Sequence, residues 1–339
     1  MDYQYLINTH LKKRTVISVL LSPFSFVYAI IVVVRRLLYR TFPTLSYKSK
    51  FQIISVGNIT SGGTGKTPFA LYLANKFILQ GHKVAIVLRG YKGQFEHNGA
   101  LIADDKKVFE IASKAGDEAM LYVNNLPHTP ICVGKNRVKS VKLLEDKFPD
   151  LDIVILDDGF QYLKLKQDVK YCIFSSENPI GNGFCLPAGL LREPIFTLKW
   201  VDYIVINGTI KPNIDNKLLK IISTKQILSG NYIINEIVDY KQKTYTITDL
   251  KTKKLMLLSG IGTPKSFEKT VEQAGLSIDK HLCLNDHFEY TQEFIDIHID
   301  EFVQYDFVLT TEKDFTKLSM LKIEAKVLVV KVRFDVVDQ

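Results

Sequence analysis

Phe51–Pro68 reads FQIISVGNITSGGTGKTP, and this stretch decides the fold. Phe51–Val56 has the length and apolar content of a buried strand. A glycine-rich loop follows and ends in Lys66-Thr67-Pro68. Apolar positions at Phe69, Leu71, Leu73, Phe77 and Ile78 then predict a helix that stops near Gly81. Val84–Leu88 is the next strand. Strand, glycine loop, helix and strand make a βαβ unit with a phosphate-binding loop. Glycines let backbone N–H groups turn inward around phosphate oxygens, and the helix N-terminus adds its dipole. On this reading Thr60, Ser61, Gly62, Gly63, Thr64, Gly65, Lys66 and Thr67 bind a nucleotide. Lys66 reaches the β- and γ-phosphates, and the Thr67 hydroxyl joins a Mg²⁺ shell. Thr60 stands where the strict motif has glycine.

Working outward, Leu151–Leu156 runs into Asp157-Asp158-Gly159-Phe160-Gln161. An acid at the C-terminal end of a strand beside a phosphate loop is the usual second anchor for Mg²⁺. Further apolar runs at 130–133, 171–174 and 202–206, with helical stretches between several of them, predict a mainly parallel sheet covered by helices. Residues 175–200 hold Pro179, Gly181, Gly183, Pro187, Gly189 and Pro194, and read as a long functional loop. The guanine-reading N-K-x-D pattern is missing; Thr311-Glu312-Lys313-Asp314 resembles it only superficially. Ser61 before Gly62-Gly63 also lacks the signature lysine of switch ATPases.

The 339 residues therefore divide, on sequence grounds, into a P-loop nucleotide-binding domain at 45–230 and a smaller α/β domain at 253–339. Residues 231–252 alternate at 232–238 and 243–248 and are expected to form a two-stranded β linker. Segment 1–44 is different. The first 50 residues carry eight Lys or Arg and one acid, whereas the rest of the +8 chain is nearly neutral. Thr15–Val34 has no charge, and at 1.5 Å per residue it covers ~30 Å of helix. Pro23 permits a kink. The segment reads as a membrane-associated helix, spanning or interfacial, with a buried core helix as the alternative. Charge gathered on a leader argues against a nucleic-acid face. The four cysteines, Cys132, Cys172, Cys185 and Cys283, have no C-x-x-C spacing and suggest neither a disulfide framework nor a zinc site.

More motifs follow in order: Arg89-Gly90-Tyr91, Gly116-Asp117-Glu118, Asn182 to Pro194 (NGFCLPAGLLREP), Ser259-Gly260-Ile261-Gly262, Asp286-His287 and Thr311-Glu312-Lys313-Asp314. Together with the phosphate loop and the paired aspartates, this series resembles the tetraacyldisaccharide 4′-kinase family over roughly residues 50–315. The resemblance implies transfer of the ATP γ-phosphoryl group to the 4′-hydroxyl of a tetraacyldisaccharide 1-phosphate, a step of lipid A biosynthesis. It places the enzyme at the cytoplasmic side of a bacterial inner membrane, with no obligate protein partner. It implies Asp117 as catalytic base with His287 as its partner and Lys66 on the phosphates. Glu118, Asp157, Asp158 and Thr67 would surround Mg²⁺. Arg137, Arg192, Gln161 and Tyr91 would contact substrate or phosphate. Tyr162 departs from the histidine often found there. Without the resemblance, Asp117 reads as a helix start. A kinase for another membrane-bound acceptor and a membrane-tethered ATPase switch are the competing functions. Closure of two lobes is expected to carry His287 to Asp117.

Overall fold

The computed structural model describes residues 10–109, 114–208 and 216–337. The first nine residues of the leader and the last two of the C-terminal lobe lie outside them.

The fold is a mixed α/β architecture built on one continuous sheet. In chain order the strands are β1 Gln52–Gly57, β2 Val84–Leu88, β3 Ala100–Ala103, β4 Ile131–Val133, β5 Ile153–Asp157 and β6 Val169–Ser175. They continue with β7 Tyr203–Asn207, β8 Gln226–Val238, β9 Leu255–Ser259, β10 Lys280–Cys283, β11 Phe307–Thr311 and β12 Val327–Val337. Their spatial order is β10-β9-β11-β12-β8-β7-β6-β1-β5-β2-β4-β3. In the larger lobe β1 lies between β5 and β6, and all three run parallel. Every residue of β2 and β5 is buried, as expected for strands covered by helices on both faces.

The helices are α1 Val16–Thr41, α2 Lys66–Leu79, α3 Asp117–Asn125, α4 Arg137–Lys147, α5 Asn216–Ile222, α6 Ile247–Leu250, α7 Pro264–Gln273, α8 Gln292–Phe302 and α9 Glu312–Leu318. α2 buries Phe69, Ala70, Leu73 and Ala74 against the core around β1, β2 and β5. β9 and β11 carry a second core with Phe267 and Val271 of α7.

A two-stranded ladder joins the lobes, but its partners differ from expectation. Residues 232–238 belong to β8, which pairs antiparallel with β12 from Val329↔Val238 to Val337↔Ser229. The 243–248 segment contributes only a Val238↔Thr244 bridge and the short helix α6. Alternation identified a strand; it could not identify which strand would satisfy its backbone groups. β3 and α5 also went unanticipated, being short and weakly periodic.

α1 is one continuous helix, with Pro23 inside it. Its apolarity is inside out. Ser18, Ser25 and Arg36 face the protein and are buried, whereas Leu20, Phe24, Val27 and Ile31 are exposed. It is therefore not a core helix.

Candidate active site

The phosphate loop leaves the end of β1 and enters α2, as its sequence requires. Two glycines are fixed by close approach. A side chain at Gly57 would meet the Phe160 Cβ at 2.5 Å, so β1 can pass the Asp-Asp-Gly-Phe turn only without one. Gly65 has φ +86°, in the left-handed region, and its carbonyl accepts a hydrogen bond from the Tyr232 hydroxyl of β8. Upstream, Ser61 N–H donates to Leu190 O and Arg192 N–H to Ile59 O, each at 2.7 Å. The long 175–200 loop is thus zipped to the phosphate loop, and this seats Arg192. The Ser61 amide is used in that contact.

Asp157 ends β5 next to the start of α2. Its Oδ2 accepts from the Thr67 hydroxyl at 2.9 Å and from the Tyr122 hydroxyl at 2.8 Å. Asp158 turns the chain with φ +50°, a conformation aspartate tolerates better than most residues. It faces Lys66 Nζ at 3.6 Å and Arg192 Nη1 at 3.1 Å. Burial opposes the Asp158 charge, but Lys66 and Arg192 outweigh it and hold the carboxyl below its usual range. Asp157 and Glu118 behave oppositely. Burial pushes both upward, and the repulsion each carboxylate feels from a neighbouring acid adds to it.

Asp117 is the first residue of α3, so the helix-start reading and the site reading both describe it. From the other lobe His287 brings Nδ1 to 3.4 Å from Asp117 Oδ2, and Lys317 brings Nζ to 2.7 Å. Burial opposes the Asp117 charge, and His287 and Lys317 more than offset it, so its carboxyl lies below the usual range. His287 also has positive φ, +59°. Its N–H donates to Gly260 O at 3.1 Å, which ties it to the Ser-Gly-Ile-Gly turn after β9. That turn lies against the phosphate loop, with Gly63 and Thr263 in near contact. A cavity of about 820 Å³ follows the lobe boundary, with Asp117, Tyr290 and Lys317 in its wall.

Lys66 of the phosphate loop and Arg192 of the 175–200 loop thus flank the aspartate pair, and Glu118 lies within electrostatic reach of both Lys66 and the inter-lobe His287. Residues 17–339 match the family described as Tetraacyldisaccharide-1-P 4′-kinase. The tetraacyldisaccharide 4′-kinase of Halothermothrix orenii is 32% identical over 324 residues, covering 90% of this chain and 84% of that one. That of Francisella tularensis subsp. novicida is 36% identical over 282 residues, covering 83% and 84%. The solved "apo" form LpxK from Aquifex aeolicus in complex with ATP superposes with a TM-score of 0.74 at 26% identity, covering 94% and 95%. This chain belongs to the tetraacyldisaccharide 4′-kinase family.

Other positions expected to serve the kinase sit around this centre in varied ways. Arg137 is buried at the start of α4, with its guanidinium 5.4 Å from the Tyr162 ring and Nε without a hydrogen-bond partner among the described residues. Tyr162 in turn donates to Asn136 Oδ1, which also caps α4, so it supports Arg137. Gln161 donates to Asn58 O at 2.7 Å and braces the loop. The Tyr91 ring packs edge-on against His287, with centroids 5.5 Å apart.

Several side chains around this centre were not singled out in the sequence. Tyr122 and Tyr232 look like core tyrosines in sequence. Lys313 and Lys317 lie four apart on α9, a spacing that sets both on one face, and a strand-helix reading of Thr311–Asp314 could have found them. Thr311 and Asp314 themselves are structural. Thr311 caps α9, and Asp314 accepts the Gly260 N–H at 3.1 Å.

Proposed function

We propose that this kinase transfers the γ-phosphoryl group of ATP to the 4′-hydroxyl of a tetraacyldisaccharide 1-phosphate. The observation that carries the reading is the Asp117–His287 contact made across the two lobes, with Glu118, next to Asp117, within electrostatic reach of both His287 and Lys66. Phosphoryl transfer needs positioning, charge neutralisation and a place for one proton. Lys66 neutralises the β- and γ-phosphates, and Arg192 offers a planar fork to the transferring group. Asp117 accepts the proton of the sugar hydroxyl as the new P–O bond forms and the bond to the β-phosphate oxygen breaks. His287 orients that carboxylate.

The residues fit a magnesium ion. Asp157 is buried and Glu118 half-buried, burial and a neighbouring acid raise both carboxyls although Lys66 opposes this, and Thr67 lies beside Asp157. Among the described residues no three acidic, His or Cys side chains converge into a cage. A magnesium ion keeps waters and substrate phosphates in its shell. Thr67, Asp157 and Glu118 would hold it, with Asp158 nearby, and when bound it supplies charge neutralisation to the triphosphate.

The inside-out α1 supports membrane association. Its docked face is tied down by Ser25 to Cys185 O, Tyr28 to Arg192 O and Arg36 to Glu193. Crossing a bilayer would break these bonds, so the helix lies along the surface with Leu20, Phe24, Val27 and Ile31 toward lipid. The cytoplasmic face of a bacterial inner membrane is where ATP meets such an acceptor.

Incubation with γ-labelled ATP and the disaccharide 1-phosphate in mixed micelles tests the reading. Label on the lipid is expected. ATP consumption without labelled lipid would replace it with the ATPase-switch reading.

A further inference from the structure

Lys313 occupies a position the reading above leaves without a task. It is the second residue of α9, with a side chain only 15% exposed. Its ammonium lies 3.3 Å from His287 Nε2 and 2.8 Å from Asp286 Oδ1. On the opposite edge of the ring, Nδ1 faces Asp117 Oδ2 at 3.4 Å. We propose that Lys313 is a positioning residue that donates to His287 Nε2 and so fixes the imidazole as the tautomer protonated on Nδ1.

The argument is one of donors and acceptors. An ammonium has three donors and no acceptor. A proton on Nε2 would therefore set N–H against N–H at 3.3 Å, and among the described residues no acceptor lies within hydrogen-bond distance to take it. Asp286 Oδ1 is 3.9 Å from Nε2, beyond hydrogen-bond reach, and is already bonded by Lys313. With Nε2 as acceptor, the one ring proton sits on Nδ1 and points at Asp117, which as a carboxylate can only accept. The chain Lys313→His287→Asp117 is then consistent at every link. A ring N–H donated to the carboxylate orients Asp117 and leaves its other oxygen for the sugar hydroxyl.

The surroundings lock this arrangement. Thr311 caps α9, and Asp314 pins the Gly260 N–H while Gly260 O holds the His287 amide. Lys317, four residues after Lys313, bonds Asp117 directly and also Phe288 O. The Tyr91 ring packs edge-on against the imidazole from the larger lobe. The Thr-Glu-Lys-Asp run thereby gains a physical meaning. Its Thr and Asp build the helix start, and its Lys reads the ring.

This inference rests on Asp117 and His287 forming the catalytic pair, but its test reads the ring itself. Protein carrying ¹⁵N-labelled histidine is recorded in long-range ¹H–¹⁵N correlation spectra, with the His287 signals identified by their loss in His287→Gln. The native enzyme should show Nδ1 protonated and Nε2 bare, the tautomer less favoured by free histidine. Lys313→Met should move the ring toward the Nε2-protonated form. It should lower kcat about 10-fold or more, as loss of base orientation does, with the ATP KM within about twofold. Lys313→Arg should restore the tautomer and much of the rate. Unchanged thermal unfolding and nucleotide binding confirm that Lys313→Met is folded. A protonated Nε2 in the native enzyme would overturn the proposal. So would a Lys313→Met variant that loses activity with its ring unchanged, or keeps full activity. If Asp117→Asn proves active, the base assignment falls while the ring measurement stands.

Discussion

Asp117 starts α3 and also faces the other lobe. Asp117→Asn keeps the hydrogen-bonding shape but cannot accept the acceptor's proton. Transfer to lipid should fall by ~10²-fold or more, the scale of general-base loss, while ATP binding measured by calorimetry stays intact. Near-normal turnover would remove Asp117 from its role. Glu145 offers a test away from the chemistry. Burial opposes its charge, but the Ser49 and Tyr47 hydroxyls and the Lys50 amide outweigh it and lower its pKa. A carboxyl depressed on folding stabilises the protein above its unfolded value and loses that contribution as pH falls through the folded one. Glu145→Gln should therefore lower stability by about 1 kcal/mol at neutral pH, with the gap closing in strongly acid solution. Denaturant melts at several pH values decide it. Residue types at the nucleotide loop were legible because glycine, lysine and threonine at fixed spacing have one common use. Tyr122, Tyr232, Lys313 and Lys317 were not, because a tyrosine or lysine takes its meaning from what it faces.

At the scale of elements, the buried Arg36–Glu193 pair shows how α1 is held. The guanidinium makes two 2.6 Å bonds to Glu193, donates to Phe160 O and lies 4.1 Å from the Phe160 ring. The side chains are 6% and 3% exposed. Arg36→Ala strands a buried carboxylate, and loss of one partner from such a pair costs about 3–5 kcal/mol. The variant should melt earlier, and limited proteolysis should cut within α1. If α1 stays protease-resistant and the melt is unmoved, the pair is dispensable. Because Arg36 and Arg35 also hold the Phe160 and Gln161 carbonyls, this loss should reach the aspartate turn. The apolar run of α1 was plain in the sequence, as were β1, β2, β5 and β7. The direction of its faces was not, since periodicity says that a helix has two sides and not which one meets protein.

For the whole molecule, the β8–β12 ladder is the joint. Its strands come from distant parts of the chain, as the Glu236–Lys331 bond across 95 residues shows. Tyr232 on this ladder packs on Phe334 and reaches Gly65 O. Tyr232→Phe should raise the ATP KM several-fold, about 1 kcal/mol for one lost hydrogen bond, with kcat little changed. Equal ATP kinetics would separate the joint from the phosphate loop. Membrane contact is also a property of the whole surface. Replacing Leu20, Phe24, Val27 and Ile31 by serine leaves the docked face of α1 intact and should abolish flotation with anionic vesicles, and persistent flotation would place the contact elsewhere.

The sequence by itself determined the phosphate loop, the parallel sheet that presents it, the aspartates at the end of β5 and the apolar leader. Each is a local pattern in which neighbouring residues specify one conformation or one ligand. The tertiary structure alone decided that β8 pairs with β12, that α1 turns its polar face inward, and that His287 meets Asp117 from 170 positions away with Lys313 behind it. Those contacts join residues far apart in the chain. Their geometry is fixed only when the lobes share one sheet, which no local pattern encodes.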